Sequence, residues 1–249
     1  MKRAVLLFLI LSVILSSLML SSCQDLKGQL NSAIEKTNSL PSYEATVDMN
    51  VKATANGVSV EIPTTALIKG ARRDTGAPLS YTKIDMDVLG EEVSAELYYD
   101  CTWMYYITEG ETTRIPAQAA DKSLLLSEDI DEIVKKLPAD VLDDAKVKKD
   151  NLITKTVTVK MDNDKFLEIY EEFAADMKES VGLSANIRTL KILDSEVVIT
   201  IQKGYILSYD INFDMSVKQN DVEVTVNVST SLNFIDPGKE VEITMPQDL

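Results

Sequence analysis

The first apolar pattern after residue 25 has a helical period. Leu26, Leu30, Ala33 and Ile34 recur every three or four positions, with charged and amide side chains between them. Side chains at this spacing lie on one face of a helix, so the pattern predicts a short amphipathic helix. We expect this helix to end before Pro41.

From residue 43 onward the period changes to two. Apolar and polar residues alternate over 43–54, which predicts a long strand with one buried and one solvated face. Asn56 and Gly57 tolerate the positive φ angles of a tight hairpin, so the chain should return as a second strand from Val58. Further strands are predicted over 81–89, 92–99, 103–108, 153–161, 196–202, 205–217 and 222–228.

Two helices are predicted to interrupt this run of strands. Ser127 precedes a periodic apolar segment that Pro138 ends, which predicts a helix within 127–137. A longer helix is predicted over 164–182, with Phe173 on its apolar face. We therefore predict an α+β fold in which helices cover a strongly curved antiparallel sheet, because this arrangement buries all the apolar faces together.

The N-terminus has the pattern of a secretory signal peptide. Two basic residues precede an apolar segment over 4–15, and small residues follow before Cys23. A transmembrane helix is the alternative, but the apolar span reaches only the lower limit of about 17 residues. Leu20-Ser21-Ser22-Cys23 resembles the lipobox of bacterial lipoproteins, which implies that residues 1–22 are removed and that Cys23 is lipidated.

On this interpretation the chain has three parts. Residues 1–22 are the signal peptide, residues 23–42 are the lipidated N-terminus with the first helix, and residues 43–249 are a single domain. The mature protein is then anchored to the cell membrane through Cys23, on the extracytoplasmic face.

The charge is strongly acidic. The chain has 25 basic and 40 acidic residues, for a net charge of −15 at pH 7. Without residues 1–22, which hold two basic and no acidic residues, 23 basic and 40 acidic residues leave a net charge of −17. Such a chain repels phosphate backbones, so no nucleic-acid partner is expected. Anionic membranes should repel it too, so we expect acyl chains rather than a basic patch to hold it there.

The composition also argues against catalysis. The chain has no histidine, so it lacks the general base of Ser-His-Asp hydrolases and the commonest zinc and haem ligand. We predict a protein that is not an enzyme, with no catalytic residues and with neither a metal nor a cofactor. Cys101, the only cysteine besides Cys23, falls in a predicted turn, and we interpret it as an incidental free thiol.

Short aromatic motifs give the chain a family resemblance. They are Leu97-Tyr98-Tyr99-Asp100 and Trp103-Met104-Tyr105-Tyr106, flanked by Ser39-Leu40-Pro41-Ser42-Tyr43 and a closing Met245-Pro246-Gln247-Asp248-Leu249. With the lipobox and the order of elements, they resemble the LolA-like and LppX/LprG-like bacterial lipoproteins over roughly the whole mature chain. The resemblance implies a half-open β-barrel whose concave side is covered by helices around an apolar cavity that takes acyl chains.

The aromatic hairpin is the candidate site. On its second strand, Trp103, Tyr105 and Ile107 point to one side, and Met104 and Tyr106 point to the other. One interpretation is ordinary core packing. The other is that the hairpin lines an apolar cavity. The cavity residues would then be Trp103, Tyr105, Ile107, Tyr99, Leu97 and, from the long helix, Phe173.

Two hypotheses of function follow. The first is a membrane-anchored protein that binds or carries a lipid, an acyl chain or another hydrophobic molecule in a half-barrel cavity. The second is a non-enzymatic structural or interaction lipoprotein of the cell envelope, whose core is filled by its own side chains and which holds no ligand.

Overall fold

A computed structural model describes residues 26–72, 78–117, 145–160, 164, 190–219 and 222–246. Its regular elements are one helix, α1 (Leu26–Asn38), and eleven strands. The strands are β1 (Ser42–Ala55), β2 (Val58–Arg72), β3 (Pro78–Val88), β4 (Glu91–Tyr99), β5 (Trp103–Thr108), β6 (Glu111–Pro116), β7 (Lys146–Lys149), β8 (Thr154–Lys160), β9 (Leu190–Gln202), β10 (Tyr205–Gln219) and β11 (Val222–Ile235).

All eleven strands belong to one antiparallel sheet. Its order is β6-β5-β4-β3-β2-β1-β11-β10-β9-β8-β7. Strands that pair in the sheet are also consecutive in the sequence, with one exception. The exception is the pairing of β1 with β11, which joins two meanders at the centre of the sheet. Within the described residues β6 and β7 are the two edges, and the sheet does not close into a barrel.

Tight turns set the register of the hairpins. Asn56 and Gly57, between β1 and β2, have φ angles of 50° and 78°, which is the backbone of a type I′ turn. Leu89 and Gly90 make the same kind of turn between β3 and β4, with φ angles of 59° and 89°. Two-residue turns of this type match the right-handed twist of paired strands, so the pairs continue without a break.

Because side chains alternate along a strand, the sheet has two chemically different faces. We call the face that carries Ala45, Val47 and Met49 of β1 the apolar face, and the face that carries Glu44 and Asp48 the polar face. Residues directly opposite one another in an antiparallel pair share a face, so the register assigns every strand to these two faces.

Helix α1 packs on the apolar face. The side of the helix that it buries consists of Leu30, Ala33, Ile34 and Thr37. Thr37 Oγ1 accepts a hydrogen bond of 2.9 Å from the backbone N–H of Ile206, and Lys36 Nζ donates one of 2.8 Å to the carbonyl of Lys203. These bonds fix the C-terminal turn of α1 to the β9–β10 hairpin.

The predicted antiparallel sheet is confirmed, whereas the predicted helical cover is seen only in part within the described residues. One helix, α1, covers part of one face. The helices predicted over 127–137 and 164–182 lie, apart from Asp164, outside the described residues. Residues 1–22, predicted to be a signal peptide, also lie outside them.

Candidate functional site

The register divides the residues that the sequence assigned to one cavity. Tyr99 is directly opposite Met104, and Leu97 is directly opposite Tyr106, so both lie on the apolar face. The other predicted cavity residues, Trp103, Tyr105 and Ile107 of β5, lie on the polar face. The hairpin therefore does not bring these five side chains to one surface. Phe173 and Cys23 lie outside the described residues.

Both faces of β5 are covered. Met104 is 1% exposed on the apolar face and Tyr105 is 6% exposed on the polar face. This is the packing of a strand that is buried on both sides, and it agrees with the core-packing interpretation of the aromatic hairpin.

The polar face around this hairpin holds a network of aromatic rings and charges. The rings of Tyr81 and Tyr98 are 4.7 Å apart, and Tyr98 Oη donates a hydrogen bond of 2.9 Å to Glu96 Oε2. Burial raises the pKa of Tyr98, and the carboxylate of Glu96 raises it further. Burial is also the main cause of the raised pKa of Tyr81. Both phenols therefore stay protonated, which suits them to a structural role and not to proton transfer near neutral pH.

A cation–π contact completes this network. The guanidinium carbon of Arg114 lies 4.2 Å from the centre of the Trp103 ring. The indole thus has a partner from the neighbouring strand β6, and it does not face the same side of the sheet as Leu97.

Two zones of the apolar face differ in exposure. Beneath α1 lies a buried cluster that we call the helix cluster; its strand members are Ala45, Val157, Val159, Val197, Ile199, Ile201, Ile206, Tyr209 and Leu232. The helix covers them and excludes water, and the side chains of β8 and β9 in this cluster are almost completely inaccessible.

Beyond the helix cluster the apolar face continues toward the β1–β2 turn. Val51 is directly opposite Ile62 on one side and Val228 on the other, and Val228 is directly opposite Phe213. We call this zone the open apolar surface; it consists of Met49, Val51, Ala53, Val60, Ile62, Met86, Val93, Phe213, Met215, Val226 and Val228. Most of these side chains are half-buried, and Val60 and Val93 are exposed at 39% and 43%.

The sequence contains the signal for this surface, although the sequence-based prediction of the cavity did not use it. Valines alternate through the first half of β11, and apolar residues alternate through β1. Only the pairing of β1 with β11 shows that these two stripes form one continuous surface.

Other chemistry in the described residues is sparse. Cys101 is an exposed free thiol in the β4–β5 turn, with Sγ 3.4 Å from the carbonyl oxygen of Pro78. Within the described ranges no three acidic, histidine or cysteine side chains are grouped as a metal site would require. In the same ranges no helix is long and apolar enough to cross a bilayer.

Several solved structures overlap this chain at low similarity. LprF from Mycobacterium bovis has 13% identity and a TM-score of 0.41, with 89% of this chain and 97% of that chain covered. A DUF1329 family protein from Desulfovibrio piger has 11% identity and a TM-score of 0.27, with coverage of 89% and 95%. A β-barrel-like protein of the DUF1849 domain from Brucella abortus has 8% identity and a TM-score of 0.25, with coverage of 80% and 100%. At TM-scores below 0.5, these overlaps carry no argument about function.

The family assignment rests on the sequence itself. No curated protein matches the chain. A family model matches residues 26–249, and the chain therefore belongs to the family described as a family of unknown function, DUF6612.

Proposed function

We propose that this protein is a lipid-anchored, extracytoplasmic binding protein that holds a hydrophobic molecule against the apolar face of its sheet. The observation that carries the proposal is the open apolar surface, which extends over six neighbouring strands of the sheet and stays half-buried or exposed. Burying apolar surface is favourable by about 25 cal/mol per Å², so such a surface favours an apolar ligand. We propose no catalytic activity, because the chain has no histidine.

The anchor in this proposal is Cys23. It lies three residues before the first residue of α1, and α1 is fixed to the sheet through Thr37 and Lys36. A lipid on Cys23 would therefore hold the sheet close to the membrane surface, without a long flexible linker. The ligand would then be taken from or delivered to that membrane.

The structural alternative has support at the other end of the apolar face. Around β5 the side chains are buried on both faces, as expected for a filled core. We therefore place the ligand on the open apolar surface and not beside Leu97 and Tyr99. In the alternative, the open apolar surface would be a docking face for another protein of the envelope.

A matched pair of substitutions on β11 tests the proposal. Val228→Asp places a carboxylate on the open apolar surface, whereas Ser229→Asp places the same group one residue away on the polar face. With a fluorescent fatty acid as the probe, we expect the first variant to lower the affinity at least tenfold, because an unpaired carboxylate against an apolar ligand is costly. The second should bind like the unmodified protein.

A second pair keeps the test decisive if Val228→Asp fails to fold. Val60 is already 39% exposed, so Val60→Asp should leave the fold intact while still charging the open apolar surface. Ser59→Asp is its control on the polar face. The proposal is wrong if the unmodified protein binds no probe and native mass spectrometry of the purified protein shows no co-purifying lipid. If both members of a pair lose the same affinity for the probe, the probe does not bind on the open apolar surface.

A further inference from the structure

The β7–β8 hairpin, residues 145–160, is a basic segment in an acidic protein. These sixteen residues hold five lysines and one aspartate, whereas the whole chain has a net charge of −15. The three lysines of β7 are all exposed, and among the described strands β7 is at an edge of the sheet. The net charge of the whole chain therefore does not describe this edge of the sheet.

The turn of this hairpin presents apolar side chains to solvent. Leu152 is fully exposed, at 104% of its reference area, and its neighbour Ile153 is 51% exposed. Isolated exposed leucines are common on protein surfaces. Here, however, two adjacent apolar residues occupy the tip of a hairpin, and Lys149 and Lys155, which are opposite each other in the register, lie two or three positions away on either side.

The tip has a fixed shape. Asn151 Oδ1 accepts hydrogen bonds of 2.9 Å from the backbone N–H groups of both Ile153 and Thr154. The carbonyl of Ile153 accepts a hydrogen bond of 2.9 Å from the N–H of Lys203 in the neighbouring β9–β10 turn. Leu152 is thus held outward by bonded neighbours on both sides, so its exposure is a feature of the turn.

The charges are arranged for an anionic partner. Lys149 is directly opposite Lys155, a pairing of like charges that costs stability unless something negative is near. Asp150 is the one carboxylate in this hairpin, and it accepts a hydrogen bond of 2.6 Å from Thr156 Oγ1 and an ion pair of 2.9 Å from Lys148. Lys160 also forms an ion pair of 3.9 Å, with Glu196 of β9. Within the described residues, Lys146, Lys149 and Lys155 are therefore the cations of the hairpin without an ion pair.

The hairpin also lies beside the N-terminal half of α1. Lys155 Nζ donates a hydrogen bond of 2.8 Å to Gln29 Oε1. Cys23 is three residues before Leu26, and three peptide steps span at most about 11 Å. The tip itself bonds to Lys203, whose carbonyl accepts a hydrogen bond from Lys36 in the C-terminal turn of α1. The anchor and the tip therefore lie toward opposite ends of this helix of 13 residues, which is about 20 Å long. Both reach the headgroups when α1 lies along the membrane surface.

We propose that the β7–β8 hairpin is a membrane-contact element, in which Leu152 and Ile153 enter the interface of the bilayer and the lysines face anionic headgroups. The proposal rests on the proposed function only for the anchor that brings the hairpin to the membrane. Apolar residues at a tip ringed by lysines combine burial of apolar area with attraction to anionic lipid. The contact would orient the sheet relative to the bilayer.

Another hairpin of the same sheet provides a matched control. Leu89, in the β3–β4 turn, is 78% exposed, but it is flanked by Asp87, Glu91 and Glu92 instead of lysines. Because the chain has a single tryptophan, Trp103→Phe creates a background in which one new tryptophan reports on each tip. The two reporters are Leu152→Trp and Leu89→Trp, both in the full chain purified from membranes and reconstituted in vesicles.

The vesicles are made of phosphatidylcholine alone or of phosphatidylcholine with 30% phosphatidylglycerol, with brominated lipids as quenchers. With anionic vesicles we expect the emission of Leu152→Trp to shift to the blue and to be quenched, and Leu89→Trp to show neither effect. Lys149→Gln should lower the ratio of inserted to free tip about fivefold, since each lysine near an anionic surface contributes about that factor. Lys52→Gln, which removes an exposed lysine of β1 on the polar face, should leave the ratio unchanged.

Three results would overturn the proposal. The first is the same emission from both reporters in every vesicle. The second is a blue-shifted Leu152→Trp without lipid, which would mean that the tip packs within the protein. The third is a shift that follows a co-purifying protein and not the lipid, which would make the tip a protein-docking element. On the same preparation, the mass of the Cys23 peptide tests the lipid anchor and the fatty-acid probe tests ligand binding. Failure of the proposed function is therefore distinguished from failure of the membrane contact.

Discussion

The sharpest stability prediction concerns Gly70, a buried glycine within β2. Gly70 is directly opposite Tyr43 of β1, and the Tyr43 ring lies over it. A Cβ added at Gly70 would be 2.6 Å from Tyr43 Cζ and closer still to Cε1, which is far inside van der Waals contact. Gly70→Ala therefore forces the ring to move. The ring also makes an edge contact with Phe234, at 6.1 Å between the ring centres.

The loss of stability follows from these two contacts. Adding a methyl group to a packed site costs about 1–3 kcal/mol, and losing an aromatic pair costs about 0.5–1.5 kcal/mol. We expect Gly70→Ala to lower the free energy of unfolding by about 2–4 kcal/mol. In a Tyr43→Ala background the same substitution should be neutral or slightly stabilising, because the obstructing ring is absent and alanine reduces the entropy of the unfolded chain.

Urea unfolding followed by circular dichroism measures all four members of this double-mutant cycle. Gly28→Ala is the control, because nothing lies within 4 Å of a Cβ at that exposed position in α1. It should raise the stability by about 0.5–1 kcal/mol. Equal effects of Gly70→Ala with and without the Tyr43 ring would contradict the ring contact as the cause of the loss.

Three further predictions follow from the described contacts. Ile34→Ala in α1, where Ile34 is 2% exposed, should cost about 2–5 kcal/mol in urea unfolding, and the exposed Glu35→Ala should stay within about 0.5 kcal/mol. The phenol pKa values of Tyr98 and Tyr81 are raised in the fold, so the free energy of unfolding should be constant below about pH 10 and fall above it. Tyr98→Phe should make that fall less steep. A free energy of unfolding that is equally constant from about pH 8 to 11 in the unmodified protein and in Tyr98→Phe would contradict this. Cys23→Ala should abolish labelling by radioactive fatty acid, and unchanged labelling would remove the anchor from the proposed function.

The candidate site shows where a sequence pattern stops being informative. Alternation correctly placed Trp103, Tyr105 and Ile107 on one side of β5, because that relation holds within any single strand. Alternation within one strand does not show which side chains of β4 share a face with those of β5. The turn between these strands places Tyr99 opposite Met104, so Leu97 and Tyr99 lie on the other face. A register shift of one residue would have reversed this result, and the turn alone decides it.

Two strands show the same limit for the fold. The second strand was predicted from Val58 with its clear alternation only as far as Ile62, but β2 continues to Arg72. Its second half has no regular alternation, since Thr64 is next to Thr65 and Leu67 is next to Ile68, and pairing with β1 and β3 compensates for the weak local pattern. The edge strand β6 has no apolar alternation and was not predicted; it exists because β5 offers a free row of backbone groups.

The sequence by itself determined the local structure: α1 from its helical period, β1 from its alternation, and the turn at Asn56 and Gly57 from the tolerance of these residues for positive φ. These features depend on the stereochemistry of neighbouring residues, which is present in any short segment. The tertiary structure alone decided that β1 pairs with β11, and so joins two distant stripes of valines and other apolar residues into the open apolar surface. It alone also placed Lys155 beside Gln29 at the start of α1, because contacts between residues more than a hundred positions apart depend on how the whole sheet assembles.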